Sequence, residues 1–182
     1  HFPGHGDTSV DSHLGLPVVN NDLERLKSFE LLPFQEAVKN NADGIMAAHI
    51  LFPKIDPDNP ASFSRIIIND ILRNYLNFSG LIITDDMTMG AVVKNYDIGK
   101  AAVKSVAAGC DIVLVCHDYD KEVKVIKALR AAVNNGELTE DRIDESLRRI
   151  LKLKKKYNLT DKIINSVNIN FINNKISSAL NN

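Results

Sequence analysis

The chain has 182 residues, 45% of them hydrophobic and 25% charged, with a formal net charge of −1. That apolar content supports a sizeable core and excludes intrinsic disorder, while the near-neutral balance lacks the basic face that neutralises phosphates, so no nucleic-acid partner is expected. No apolar run approaches the roughly 20 residues of a membrane span, which leaves a small, roughly neutral molecule as the expected partner.

The first residues, His1-Phe2-Pro3-Gly4-His5-Gly6, read as a loop, and a motif at residue 1 suggests a start inside a longer protein. Asp7, Asp11 and His13 follow closely. Residues 22–40 carry Leu23 and Leu26 at helical spacing, with Asp22 as N-cap and Pro33 as a break that divides the segment. Residues 44–49 form the first expected strand. A helix from Ser62 or Ser64 to Tyr75 is predicted on the stripe Ile67, Ile71 and Leu72, and residues 80–84 give the second strand. The next helix spans 98–108 and stops at Gly109, a residue suited to a C-cap. Residues 111–115 are the third strand; its flanking Cys110 and Cys116 would stand too far apart for a disulfide and are expected as buried thiols. Val125, Ile126, Leu129 and Val133 predict a helix over 121–135 before Gly136. The last helix, 139–157, opens at Thr139 with an acidic first turn and closes on Lys152, Lys154, Lys155 and Lys156, a basic end that suits the helix dipole and reads as solvated. Residues 158–182, rich in Asn, Ile and Ser without a clear period, are expected to form an extension and not a second domain.

Each strand is almost continuously apolar, as in strands covered on both faces, so the class is α/β with parallel strands. The strand–helix repeats over residues 1–157 amount to about half of an eight-unit (β/α)₈ TIM-type barrel. An open doubly wound sheet is the alternative, although Gly4-His5-Gly6 lacks the third glycine of a dinucleotide fingerprint. Under either fold the strands should lie parallel and adjacent, with His49, Asp85 and the Cys116-His117 segment at one sheet edge. A half barrel would also expose sheet edges and self-associate.

Functional groups in such folds sit after the strands, and all five histidines fall there or in the first loop. Asp11-Ser12-His13 has the spacing of a carboxylate that fixes the tautomer of a general acid/base, though a solvated polar loop accounts for the same residues. Of the adjacent Asp85 and Asp86, one could face a substrate while the other caps backbone amides, and capping by both is an equal reading. The histidines and aspartates together could instead bind a metal, as in barrel amidohydrolases, but they lack a compact metal-ligand motif, so the metal reading is the weaker one and no cofactor is implied.

His1-Phe2-Pro3-Gly4-His5-Gly6-Asp7-Thr8 with Asp11-Ser12-His13 resembles the signature loop of the β-N-acetylglucosaminidase branch of glycoside hydrolase family 3, without its leading lysine. Residues 44–50, 60–64 and 80–87 are similar to further family segments in the same order. The resemblance implies the C-terminal half of the family's barrel domain. It also implies a retaining exo-glycosidase acting on terminal β-linked N-acetylglucosamine from muropeptides or chitin fragments, with Asp85 as nucleophile, His13 as acid/base and Asp11 as its partner. His1 and His49 would contact the sugar. The alternatives are a family 3 β-glucosidase, a phosphorylase, or an inactive sugar-binding fragment. A bacterial cytoplasm and a bacterial cell surface both fit the composition, and no oligomeric state is implied.

Overall fold

The computed structural model of the chain describes residues 1–161 and 166–180. Helix α1 (Leu23–Arg25) starts where Asp22 accepts the Arg25 N–H, and it widens into a π turn over Leu26–Glu30. Then α2 (Leu32–Lys39) carries Pro33 in its first turn, where the missing N–H has no partner to lose. Strand β1 (Gly44–Ala47) follows, and after it a single 3₁₀ turn at Ala61–Phe63 leads into a π-helix at Ile66–Tyr75. The expected α-helix is therefore wound more widely, closing through Leu76 N–H to the Ile71 carbonyl at 2.9 Å, and it buries Ile67, Ile68, Ile71 and Leu72 together.

Strand β2 (Leu81–Asp86) runs further than its apolar residues, so both aspartates belong to the strand itself. The short α3 (Gly90–Val93) and α4 (Ile98–Ala108) come next, α4 ending at Gly109 with φ 123°, a geometry glycine adopts without a Cβ penalty. β3 (Ile112–Leu114), α5 (Tyr119–Asn134) and α6 (Glu140–Lys156) complete the folded body, with Thr139 accepting the Arg142 N–H at the start of α6.

The strands pair in the order β1-β2-β3, all parallel, in the register Gly44 to Leu81 and Ile83 to Ile112. Phe2 adds a parallel bridge to Ala47 on the outer side of β1, so the first loop leaves the sheet from a strand position. His49, Asp85 and Cys116-His117 consequently share the C-terminal edge, as expected. One face packs Phe2, Ile45, Ile50, Phe52, Ile67 and Ile82. Met87, Val92, Ile98 and Val125 form a second cluster, joined by Val113 of β3, which lies on the same face of the sheet as Ile82.

At the opposite edge Asp111 is fully enclosed and ties three elements together. It accepts from Arg73 at 2.6 Å, Arg149 at 2.8 Å, the Ser146 hydroxyl at 2.9 Å and the Ile82 N–H at 3.0 Å. Cys110 is buried as expected, but Cys116 is exposed, because β3 ends at Leu114 and leaves it in the loop. In the tail, Ile169, Ile172, Ile176 and Leu180 fall on one stripe of an exposed helix, α7 (Ile169–Leu180). Residues 162–165 and 181–182 of that extension lie outside the described residues. Among the described residues no helix is long and apolar enough to cross a membrane.

Candidate active site

β2 delivers the two aspartates, and their hydrogen bonds give them different work. Asp86 is consumed by structure: one oxygen accepts the N–H of Thr88 at 2.9 Å and of Cys116 at 3.0 Å, and the other accepts the Thr88 hydroxyl at 2.5 Å. Burial pushes its pKa up, but the Thr88 hydroxyl, the two amides and His117 outweigh that and hold the carboxyl below its ordinary value. Asp86 thus closes the turn after β2 and pins it to the end of β3. Among the described residues Asp85 has a single backbone partner, the Asp86 N–H at 2.9 Å on one oxygen. Its other oxygen lies 3.4 Å from Nε2 of His1, and Asp85 keeps 15% of its side-chain surface exposed.

His49, expected among the sugar contacts, has no exposed surface. Its Nε2 faces the Asp86 carbonyl at 3.2 Å and its Nδ1 stands 2.6 Å from the Ser62 hydroxyl. A carbonyl only accepts, so Nε2 carries the proton and Nδ1 accepts from Ser62. Burial lowers the His49 pKa, which keeps this neutral arrangement. The residue supports the backbone under the aspartates from below.

The first loop brings the Asp11–His13 pair. Oδ1 of Asp11 lies 2.8 Å from His13 Nδ1 and also accepts the His13 N–H at 2.9 Å. Those bonds, the backbone one first, hold the Asp11 carboxyl below its ordinary range. Both side chains face solvent, 75% exposed for His13 and 57% for Asp11. Between them Ser12 points inward and meets His5 Nε2 at 3.1 Å, while His5 Nδ1 contacts the Thr8 hydroxyl at 2.8 Å. Thr8 donates to the His5 carbonyl, so its oxygen accepts from His5 Nδ1.

The loop is then set down on α3: Gly90 N–H donates to the His13 carbonyl and Ala91 N–H to the Ser12 carbonyl, both at 3.1 Å, and Lys94 donates to the Leu14 carbonyl at 2.8 Å. Asp118 serves as the N-cap of α5. Thr88 is legible in hindsight from its place two residues after Asp86, a spacing typical of aspartate turns, whereas His5 and Ser12 are signalled only by the polar loop they sit in. Among the described residues no cluster of three His, Cys, Asp or Glu side chains could hold a metal ion. Asp85 thus keeps one oxygen outside the hydrogen bonds of the turn, 3.4 Å from His1, and Asp11 orients the His13 imidazole through Nδ1.

Comparison with known proteins follows the same lines. The profile described as "Glycosyl hydrolase family 3 N terminal domain" matches residues 1–153. A beta-hexosaminidase of Idiomarina loihiensis is 41% identical over 128 residues, covering 70% of this chain and 38% of that protein. One from Methylococcus capsulatus is 40% identical over 129 residues, covering 71% and 38%. The solved structure of a glycoside hydrolase family 3 beta-N-acetylglucosaminidase from Paenibacillus sp. str. FPU-7 superposes with a TM-score of 0.88 at 42% identity, over 93% of this chain and 32% of that one. The chain spans about two-fifths of the length of the curated relatives it matches. Its parallel strands and helices are those of a stretch of a (β/α)₈-type barrel.

Proposed function

The chain belongs to glycosyl hydrolase family 3, and on that premise we propose that it carries the nucleophile and the acid/base of a retaining exo-glycosidase removing terminal β-linked N-acetylglucosamine. The observation that carries the reading is the unequal treatment of the two aspartates, with Asp86 fully engaged in the turn and Asp85 keeping Oδ2 outside it, beside His1 and partly exposed. The names of the relatives support an acetamido sugar as substrate.

In the first step Asp85 Oδ2 attacks the anomeric carbon, the bond to the leaving oxygen breaks, and His13 Nε2 gives that oxygen its proton. In the second, His13 takes a proton from water, whose oxygen attacks the anomeric carbon and releases the Asp85 ester. Asp11 holds the proton on His13 Nδ1, so that Nε2 is the nitrogen that gives and takes. His1, beside Asp85, is placed to bind a sugar hydroxyl. Other than His49, whose burial makes it a support, the residues singled out by resemblance keep their proposed roles.

The test is covalent trapping in the protein expressed from its complete reading frame. A fluorinated N-acetylglucosaminide that slows deglycosylation should label Asp85, and Asp85→Ala should lower turnover on every substrate by on the order of 10⁵-fold, the scale of losing a covalent nucleophile. Label on Asp86, or retained turnover in Asp85→Ala, would overturn the assignment.

A further inference from the structure

The loop bearing Asp11 and His13 approaches α3 more closely than a side chain would permit. A Cβ placed on Gly90 would stand 2.5 Å from the His13 carbonyl oxygen, 2.9 Å from the Leu14 carbonyl carbon and 3.0 Å from the Leu14 oxygen. All three atoms are main chain, so no rotamer change relieves the overlap. Either the loop or the helix must move.

The surroundings decide which. Met89, Ala91 and Val92, the neighbours of Gly90, are buried in the core, whereas the His13 and Leu14 side chains are open to solvent. Gly90 is not among the glycines with positive φ, so alanine suits its backbone and is the better helix former. The displacement therefore falls on the loop.

Gly90 also sits five residues after Asp85, across the turn that Asp86 clamps to Thr88 and Cys116. One continuous, braced segment thus holds both the carboxylate and the surface on which the loop rests. We infer that Gly90 is a positioning residue for the acid/base: its missing side chain is the seat that sets His13 at working distance from Asp85. This rests on the proposed role of His13. His5 braces the loop from within through Ser12, and Gly90 fixes it from outside.

A double-mutant cycle in the protein expressed from its complete reading frame tests the inference, using aryl β-N-acetylglucosaminides of graded leaving-group basicity. A shift of about 1 Å costs on the order of 10²-fold, so Gly90→Ala should lower kcat on basic leaving groups by roughly 10- to 100-fold. Dinitrophenyl glycosylation should stay within about two-fold, because a stable phenolate needs little acid help. KM and melting temperature should barely change. In a His13→Ala background Gly90→Ala should cost nothing further, since the glycine acts only through the histidine.

Lys94→Ala, which loosens the Leu14 contact without touching the core, should give the same leaving-group pattern at a few-fold and serves if Gly90→Ala folds poorly. Wild-type rates in both variants, an equal loss across leaving groups, or additivity with His13→Ala would overturn the seat while leaving the mechanism standing. A His13→Ala variant without leaving-group dependence would instead overturn the acid/base role, and the seat with it.

Discussion

Removing the Asp111 carboxylate should be among the most damaging single changes to the fold while leaving the chemistry untouched. The group is fully enclosed and faces Arg73 at 2.6 Å and Arg149 at 2.8 Å, with Arg142 at 3.7 Å. In Asp111→Ala three guanidinium groups would lose the enclosed counter-charge they share, a loss of about 3–5 kcal/mol for breaking a buried ion pair. The Ile82 amide and the Ser146 hydroxyl lose their acceptor as well, and one unsatisfied buried amide costs roughly 1–3 kcal/mol. These effects overlap, so about 4–6 kcal/mol is expected, a large part of the ~5–15 kcal/mol that holds a typical domain. Asp111→Asn keeps the oxygen acceptor and should lose roughly half as much. Urea unfolding followed by far-ultraviolet circular dichroism measures both, since the chain has no tryptophan. Because Asp111 lies at the strand edge opposite Asp85, kcat per folded molecule should not change. A loss below about 1 kcal/mol in Asp111→Ala would refute the reasoning and show that Glu145, 3.7 Å from Arg142 and 3.8 Å from Arg149, already satisfies the cluster.

Two further outcomes follow from the site. His49 has a lowered pKa from burial, so the unfolded chain takes up a proton below its ordinary pKa of 6.5 before the folded one does. Stability should therefore fall as pH drops from 6.5 towards the folded pKa, and His49→Gln should flatten that slope in unfolding measured from pH 7.5 to 5; an unchanged slope would assign it elsewhere. Burial pushes the Cys110 thiol up to about 12, whereas Cys116 is exposed, so alkylation followed by mass mapping should mark Cys116 and spare Cys110 until the protein is denatured. Equal labelling of the native protein would contradict the burial of Cys110.

The sheet was readable because each strand is a short β-branched apolar run, and its order followed from the parallel-strand rule. Local signals also carried the helix ends: Asp22, Gly109 and Thr139 act through neighbours within a few residues, and the Asp11–His13 pair is likewise a matter of i and i+2. What escaped was whatever depends on distant partners. Asp111 meets arginines 38, 31 and 38 residues away, and no spacing announces them. Similarly, His49 sits at a strand end like a rim residue, and only the packing of Ser62 and Phe63 around it shows that it is covered. Cys116 fails the other way, since an apolar run predicts a strand but not the residue at which pairing stops. The contact between Gly90 and the His13 main chain bridges 77 positions and consists of an atom that is missing, which a sequence cannot display.

The two halves of the proposed machinery are held in different ways, and this bears on how such a protein can change over generations. Asp85 is part of β2, paired on both sides, so a mutation that moves it must disturb the sheet and will be removed by loss of folding. The Asp11–His13 loop rests on α3 and its C-cap Lys94 through three hydrogen bonds and leaves the Asp11 and His13 side chains in water. Insertions and substitutions there escape that filter. Descendants of one ancestor can therefore keep the same carboxylate while exploring new proton donors and new acceptor molecules, with innovation confined to a surface strap and the frame inherited unchanged.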